Sequence, residues 1–244
     1  MNNKNILTNV LSQLNISLTD KQTDKFMLFY DMLIESNKVM NLTGITEFDE
    51  VVLKHFADSL SLVKIYDLSS SKDIKIIDIG TGAGFPGIPL KIAYPEINIT
   101  LLDSLGKRIN FLNSVILKLG LNDSGSCLTV NMRAEDYVKE SCVRESYDLA
   151  VTRAVSDLSV ICEYALPYIK TGGSFIPYKS GDVEEEIKRA ENAIDILGGI
   201  MDKTISFDLP GSDIKRSLIE IKKTRPTPDK YPRKAGLPVK KPLK

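Results

Sequence analysis

The sequence predicts an α/β protein. It reads as a Rossmann-like, mainly parallel, doubly wound sheet with an antiparallel strand near the C-terminus, preceded by an N-terminal helical region. Three observations carry this. Apolar residues recur at helix spacing through the first third of the chain. Short β-branched runs then alternate with helix-periodic segments, the pattern of a sheet covered on both faces. The first of those runs ends in a glycine cluster, Gly80-Thr81-Gly82-Ala83-Gly84.

The elements follow in order. Leu7, Val10, Leu11 and Leu14 mark one helix face, and Phe26, Phe29, Tyr30 and Leu33 a second. Asn41-Leu42-Thr43-Gly44 interrupts the pattern. Thr46, with Asp49 three residues on, predicts a helix cap at Thr46. Phe48, Val52, Phe56, Leu60 and Val63 lie on one side of the helix that follows. Ser69-Ser70-Ser71 predicts a linker. It divides the chain into a helical region, 1–70, and a sheet domain, 71–244, which ends in a basic segment, 222–244.

Strands are predicted at 74–79, 97–102 (closed by Asp103), 127–130, 147–152 and 173–178. A helix leaves the glycine cluster with Pro89 in its first turn, where a missing N–H costs nothing. Further helices are predicted at 107–119 and 183–197, and Glu184-Glu185-Glu186 reads as a solvated face of the latter. Runs at 203–208 and 214–221, separated by Pro210-Gly211, read as antiparallel strands joined by a turn. From Arg225 onward Pro226, Pro228, Pro232, Pro238 and Pro242 each remove a backbone donor, so the tail is predicted to be neither helix nor central strand.

Composition narrows the class. The 244 residues are 43% hydrophobic and 26% charged, which excludes a disordered or collagenous chain. No apolar run approaches the ~20 residues of a membrane span, and the N-terminus lacks the apolar core of a signal peptide. A soluble cytoplasmic protein is expected. Cys127, Cys142 and Cys162 are widely spaced and His55 is the single histidine, so neither a disulfide framework nor a metal site is expected. Basic and acidic residues balance at 32 each, yet residues 222–244 hold nine cations against Asp229 alone. The tail is therefore +8 and the body −8, an asymmetry that points to nucleic acid.

The glycine cluster sits between a strand and a helix, where small residues let a ligand approach the main chain and the helix N-terminus offers N–H groups to an anion. Asp103, closing the next strand, is placed to accept ribose hydroxyls. This is the layout of a nucleoside-cofactor site. Gly82-Ala83-Gly84-Phe85-Pro86-Gly87 fits the dinucleotide pattern G-x-G-x-x-G literally, so an NAD(P)-dependent oxidoreductase is one reading. Asp78 just before the turn, and a proline inside the pattern, fit S-adenosylmethionine better: its ammonium needs an acid and its carboxylate needs N–H donors.

Residues Asp78 to Leu90 resemble the cofactor motif of the bacterial 16S ribosomal RNA methyltransferase G family, also called glucose-inhibited division protein B. Asn41-Leu42-Thr43, the segment His55 to Leu60, the segment Asp103 to Arg108, Arg133-Ala134-Glu135, Thr152-Arg153-Ala154 and the segment Tyr231 to Gly236 resemble the family in the same order. The resemblance implies an S-adenosylmethionine-dependent methyltransferase fold. It implies methyl transfer to N7 of a guanine in 16S ribosomal RNA, in the 530 loop, with that RNA or the small ribosomal subunit as partner. It also implies cofactor contacts at Gly80, Phe85, Ala134, Glu135 and Arg153. A non-catalytic RNA-binding or ribosome-assembly protein is the remaining alternative.

Guanine N7 carries a free lone pair, so the reaction needs no general base. His55 then reads either as a core-edge residue bonded locally, with Asp58, or as an active-site contact. Arg153 reads as a crevice residue or a structural ion pair, and Glu135 as an adenine-edge contact or a surface carboxylate. Arg233 and Lys234, where Tyr231, Pro232 and Gly236 suggest a defined path, are the leading phosphate contacts.

Overall fold

The computed structural model describes residues 2–69, 73–153 and 156–243. Ser70 and Ser71 of the expected linker, and Ala154, lie outside them.

Helices α1 (Asn3–Ser12) and α2 (Asp20–Met40) form where the periodicity places them. A capping box starts α2: Thr19 Oγ1 accepts from Gln22 N while the Gln22 side chain accepts from Thr19 N. The next helix is assembled from four pieces. These are α3 (Phe48–Val51), a π-helical turn (Val52–Ala57), α4 (Asp58–Leu60) and a 3-10 turn (Ser61–Lys64). Its cap position is Glu47, with no side-chain hydrogen bond, which corrects the cap expected at Thr46. The Thr46 carbonyl instead accepts from the Tyr30 hydroxyl. The π turn, which shifts side chains off the 3.6-residue phase, carries His55.

Seven strands form one sheet in the order β3-β2-β1-β4-β5-β7-β6. They are β1 (Lys75–Ile79), β2 (Asn98–Asp103), β3 (Cys127–Asn131), β4 (Tyr147–Thr152), β5 (Ile169–Ser180), β6 (Gly199–Asp208) and β7 (Lys215–Lys223). β1 to β5 are parallel; β7 runs antiparallel between β5 and β6, and the β6–β7 pair turns at Pro210-Gly211 as predicted. Helices α5 (Gly87–Ala93) and α6 (Gly106–Leu119) share a core with α1 to α4 on one face. On the other face lie α7 (Ala134–Tyr137), α8 (Leu158–Ala165) and α9 (Glu184–Ile196). β1 alternates between these cores: Ile76 faces the first, Ile77 and Ile79 the second.

Two predictions about charged and proline-rich chain are corrected. Glu186 is not part of a solvated face: its Oε1 accepts from the Leu158 main-chain N–H at the start of α8 and pairs with Lys179 Nζ, both at 2.7 Å. The tail contains one helical turn, α10 (Leu237–Lys240), with Pro238 in its first turn, the place where a helix tolerates proline. No helix among the described residues is long and apolar enough to cross a membrane.

Candidate active site

Strand order reverses between β1 and β4, and ligands of open α/β sheets bind at such a switch point beyond the strand C-termini. A cavity of ≈ 220 Å³ lies there. Gly80 after β1, Asp103 after β2, Ala134 and Glu135 of α7, Thr152 of β4, and Tyr164 of α8 contribute to its wall.

The glycine turn is shaped by its own main chain. Gly80, Gly82 and Gly84 all adopt positive φ. The N–H groups of Gly80 and Thr81 both bond to the Leu102 carbonyl, fastening the turn to the end of β2. A Cβ added at Gly80 meets nothing within 4 Å, so its main chain lies bare beside the cavity. At Gly84 a Cβ would sit 2.5 Å from Ile88 Cγ1, and at Gly87 2.2 Å from Leu101 Cδ2. These two glycines serve packing against α5, α6 and β2.

Asp103 is buried and shares its oxygens. Oδ1 accepts from Leu105 N at 2.8 Å; Oδ2 accepts from Gly82 N at 3.0 Å and from Arg108 Nη1 at 3.1 Å. It therefore holds the glycine turn as well as facing the cavity, and Oδ1 keeps a lone pair. Glu135 is buried rather than a surface carboxylate, and its Oε1 lies 3.4 Å from Gly236 N of the tail. The Ala134 carbonyl accepts from the Tyr168 hydroxyl at 2.6 Å. Asp78 is fully buried: Oδ2 accepts from Thr81 Oγ1 (2.7 Å) and Gly87 N (2.9 Å), while Oδ1 has no partner among the described residues. Burial pushes its pKa up to about 7.

Phe85 and Arg153 lie on the other side. The Phe85 ring stacks on His55 with centroids 4.5 Å apart, and the Arg153 guanidinium sits over the same ring at 5.1 Å. Neither side chain lines the first cavity. Arg153 lines a second one, of ≈ 590 Å³, together with Lys54, His55, Asp58, Lys179 and Arg216. The ion pair left open for Arg153 is present: Nη1 bonds to Asp58 Oδ2 at 3.1 Å and to the Lys54 carbonyl at 3.1 Å.

His55 bonds to Thr43 and Arg153, not to Asp58, which corrects the local partner expected for it. Arginine has no acceptor, so His55 Nδ1 accepts from Arg153 Nη2 at 3.1 Å, and Nε2–H donates to Thr43 Oγ1 at 2.8 Å. Burial first, and the Arg153 charge second, push the His55 pKa down to about 3. The imidazole is neutral and both its nitrogens are occupied. It is not arranged as a general base.

The tail follows a defined path. Arg144 donates to the carbonyls of Thr227, Pro228 and Tyr231. Lys223 pairs with Glu145, and Arg225 with Asp195. Arg233, expected as a phosphate contact, is held by an acid of the protein itself. Its Nε and Nη2 bond to both oxygens of Glu163 on α8, at 2.5–3.1 Å, and Glu163 is completely buried. Arg233 is thus an anchor of the tail, while Lys234, Lys240 and Lys241 are exposed.

Sequence reasoning missed the wall supplied by α8. In that helix Leu158, Ile161, Cys162 and Ala165 do recur at helix spacing, but over only eight residues, shorter than the window in which such a stripe is decisive. Sequence reasoning missed Asp58 and Arg216 as a pair for a different reason: they stand 158 residues apart.

Residues 22–217 match the family model for the ribosomal RNA small subunit methyltransferase G. The chain is 50% identical over 233 residues to a protein of that name from Lachnoclostridium phytofermentans, covering 96% of this chain and 94% of that one. It is 48% identical over 240 residues to its namesake from Acetivibrio thermocellus, covering 98% and 96%. Among solved structures, M. jannaschii TYW2 in complex with AdoMet is similar, with TM-score 0.51, 12% identity and coverage of 68% of this chain and 76% of that one. Geranyl diphosphate C-methyltransferase from Streptomyces coelicolor, solved with S-adenosyl-L-homocysteine, is similar with TM-score 0.51, 10% identity and coverage of 69% and 79%. These two likenesses show the fold.

Proposed function

The chain belongs to the ribosomal RNA small subunit methyltransferase G family, and from that premise we propose that it methylates N7 of a guanine in 16S ribosomal RNA, in the 530 loop, using S-adenosylmethionine. The observation that carries the cofactor assignment is the cavity at the switch point, with bare main chain at Gly80 and the buried carboxylates of Asp103 and Glu135 in its wall.

The residues fit such a cofactor. The free Asp103 Oδ1 lone pair suits a ribose hydroxyl, and Ala134 and Glu135 suit the adenine edge. Gly80 lets the amino-acid end lie against the main chain. Asp78 Oδ1, buried and without a partner among the described residues, is an acceptor in the same turn. Arg153 lines the second cavity and the buried Phe85 ring packs against Arg153 and His55, so neither side chain stands in the wall of the cofactor cavity. Bound S-adenosylmethionine supplies an electrophilic methyl group.

The chain's own part is to orient and exclude. Guanine N7 attacks without losing a proton, so nothing needs to deprotonate it. His55 agrees with this, because its lone pair is spent on Arg153. Holding the two reactants in line is worth about 7–11 kcal/mol in well-oriented systems. The exposed Lys234, Lys240 and Lys241 are the tail's phosphate contacts. The helices between residues 2 and 69 cover one sheet face and supply Lys54, His55 and Asp58 to the second cavity.

The test is methyl transfer to small-subunit RNA with the product mapped by mass spectrometry, beside calorimetry with S-adenosylmethionine and NADH. We expect S-adenosylmethionine binding and a single methylated guanine. Binding of NADH alone, or methylation of another base, would reject the reading.

A further inference from the structure

The second cavity shares a wall with the first. Thr152 and Ser156 line the cofactor cavity, while the residues that follow them, Arg153 and Asp157, line the larger one. An acceptor held in the larger cavity therefore meets a donor held in the smaller at the end of β4. Its ≈ 590 Å³ falls in the range of about 300–1,000 Å³ typical of small-molecule sites.

The charges there are arranged to accept an anion. Four cations (Lys54, Arg153, Lys179, Arg216) face three acids, and the acids are already engaged by the protein. Asp58 is bracketed by Arg153 on Oδ2 and Arg216 Nε on Oδ1, at 3.1 and 2.9 Å. Glu186 is held by Lys179 and the Leu158 N–H. Asp157 caps α8 through Ser159. Donors remain instead. Arg216 uses Nε on Asp58 and Nη1 on the Lys215 carbonyl, which leaves Nη2 without a partner among the described residues. Among the described residues the Lys54 ammonium is tied to Glu50 alone.

Building on the methyltransferase reading, we propose that this cavity receives the target nucleotide of the RNA, with Arg216 and Lys54 binding its phosphate and Asp58 fixing Arg216 in place. A guanidinium pinned at Nε by a buried carboxylate is pre-oriented for a phosphate oxygen. The base can then lie toward the end of β4, where the two cavities meet.

The test uses the full chain and an oligoribonucleotide carrying the 530 loop. RNA affinity is measured across a salt series, with S-adenosylmethionine calorimetry on the same variants. Arg216→Gln is expected to weaken RNA binding about tenfold or more, the cost of one charged hydrogen bond. It should also lower the log–log salt slope by about 0.7, one single-strand phosphate contact, with cofactor affinity unchanged. Lys54→Gln, on a half-exposed helix side, should lower the slope equally and gives the readout even if Arg216→Gln fails to fold. Unchanged affinity and slope, with cofactor binding intact, overturns the assignment and leaves the methyltransferase reading standing. Parallel loss of cofactor affinity overturns it as well, because Arg216 would then be holding up both cavities as structure.

Discussion

The glycine turn and the C-terminal tail were both conspicuous in the sequence, and the structure treats them differently. The turn does what its residues imply: positive φ at Gly80, Gly82 and Gly84, between a strand and a helix, beside a cavity. The tail read as a basic segment on a defined path, with its cations facing nucleic acid. In the structure Lys222, Lys223, Arg225 and Arg233 are paired with Glu220, Glu145, Asp195 and Glu163. The lesson concerns range. A turn's conformation is set by neighbours in sequence, whereas a cation's freedom depends on acids far along the chain; Glu163 stands 70 residues from Arg233.

The sharpest way to probe the turn is to compare two of its glycines. Both Gly80 and Gly84 have positive φ, but a Cβ meets open space at the first and Ile88 and Leu112 at the second. Gly84→Ala should carry both the left-handed backbone cost of about 1–2 kcal/mol and an overpacking cost of about 1–3 kcal/mol. Gly80→Ala should carry only the first and should lower S-adenosylmethionine affinity with the fold intact. Urea titration with calorimetry checks this; equal destabilisation of the two would break the distinction.

Within the tail the equivalent contrast lies between neighbours. Arg233→Gln strands a buried carboxylate and should cost about 3 kcal/mol. Because Glu163 sits on α8, whose Tyr164 and Ala165 line the cofactor cavity, it should also weaken cofactor binding. Lys234→Ala should change stability by less than about 0.5 kcal/mol and lower the RNA salt slope by about 0.7. A pair of variants with the same profile would show that the tail is uniform after all.

The two buried titrating groups predict opposite pH behaviour. Asp78 has a folded pKa raised to about 7 from 3.8, so its contribution is complete below the unfolded value and is lost as pH rises to about 7. His55 has a folded pKa lowered to about 3 from 6.5, so its contribution is complete above 6.5 and is lost as pH falls toward 3. Between pH 4 and 6.5 the two slopes oppose. Asp78→Asn should remove the opposing slope, so that stability rises with pH across this window more steeply than in the parent. Chemical denaturation at several pH values measures it, and an unaltered slope would mean that Asp78 is ionised in the folded protein.

Much of the fold was legible because its signals are local. The alternation of β-branched runs with periodic helices specified the sheet and most helices, and Pro210-Gly211 specified the turn between β6 and β7. Helix α8 was not read, because its stripe of Leu158, Ile161, Cys162 and Ala165 runs for only eight residues. At the site, Gly80, Asp103 and Glu135 could be placed from their positions beside strand ends, since a parallel strand's C-terminus faces the ligand crevice whatever the rest of the chain does; Ala134 came only with the family resemblance.

The sequence by itself determined the order of elements, the glycine turn and the acidic residue that closes β2. Each depends on backbone preference and hydrophobic period over a few residues. Tertiary structure alone decided which charges are spent and which are free. It bracketed Asp58 between Arg153 and Arg216, tied His55 Nδ1 to Arg153 and sank Glu163 beneath Arg233. The reason is physical. A buried charge is held by whichever partner the fold delivers, and those partners come from strands and helices separated by 70 to 158 residues.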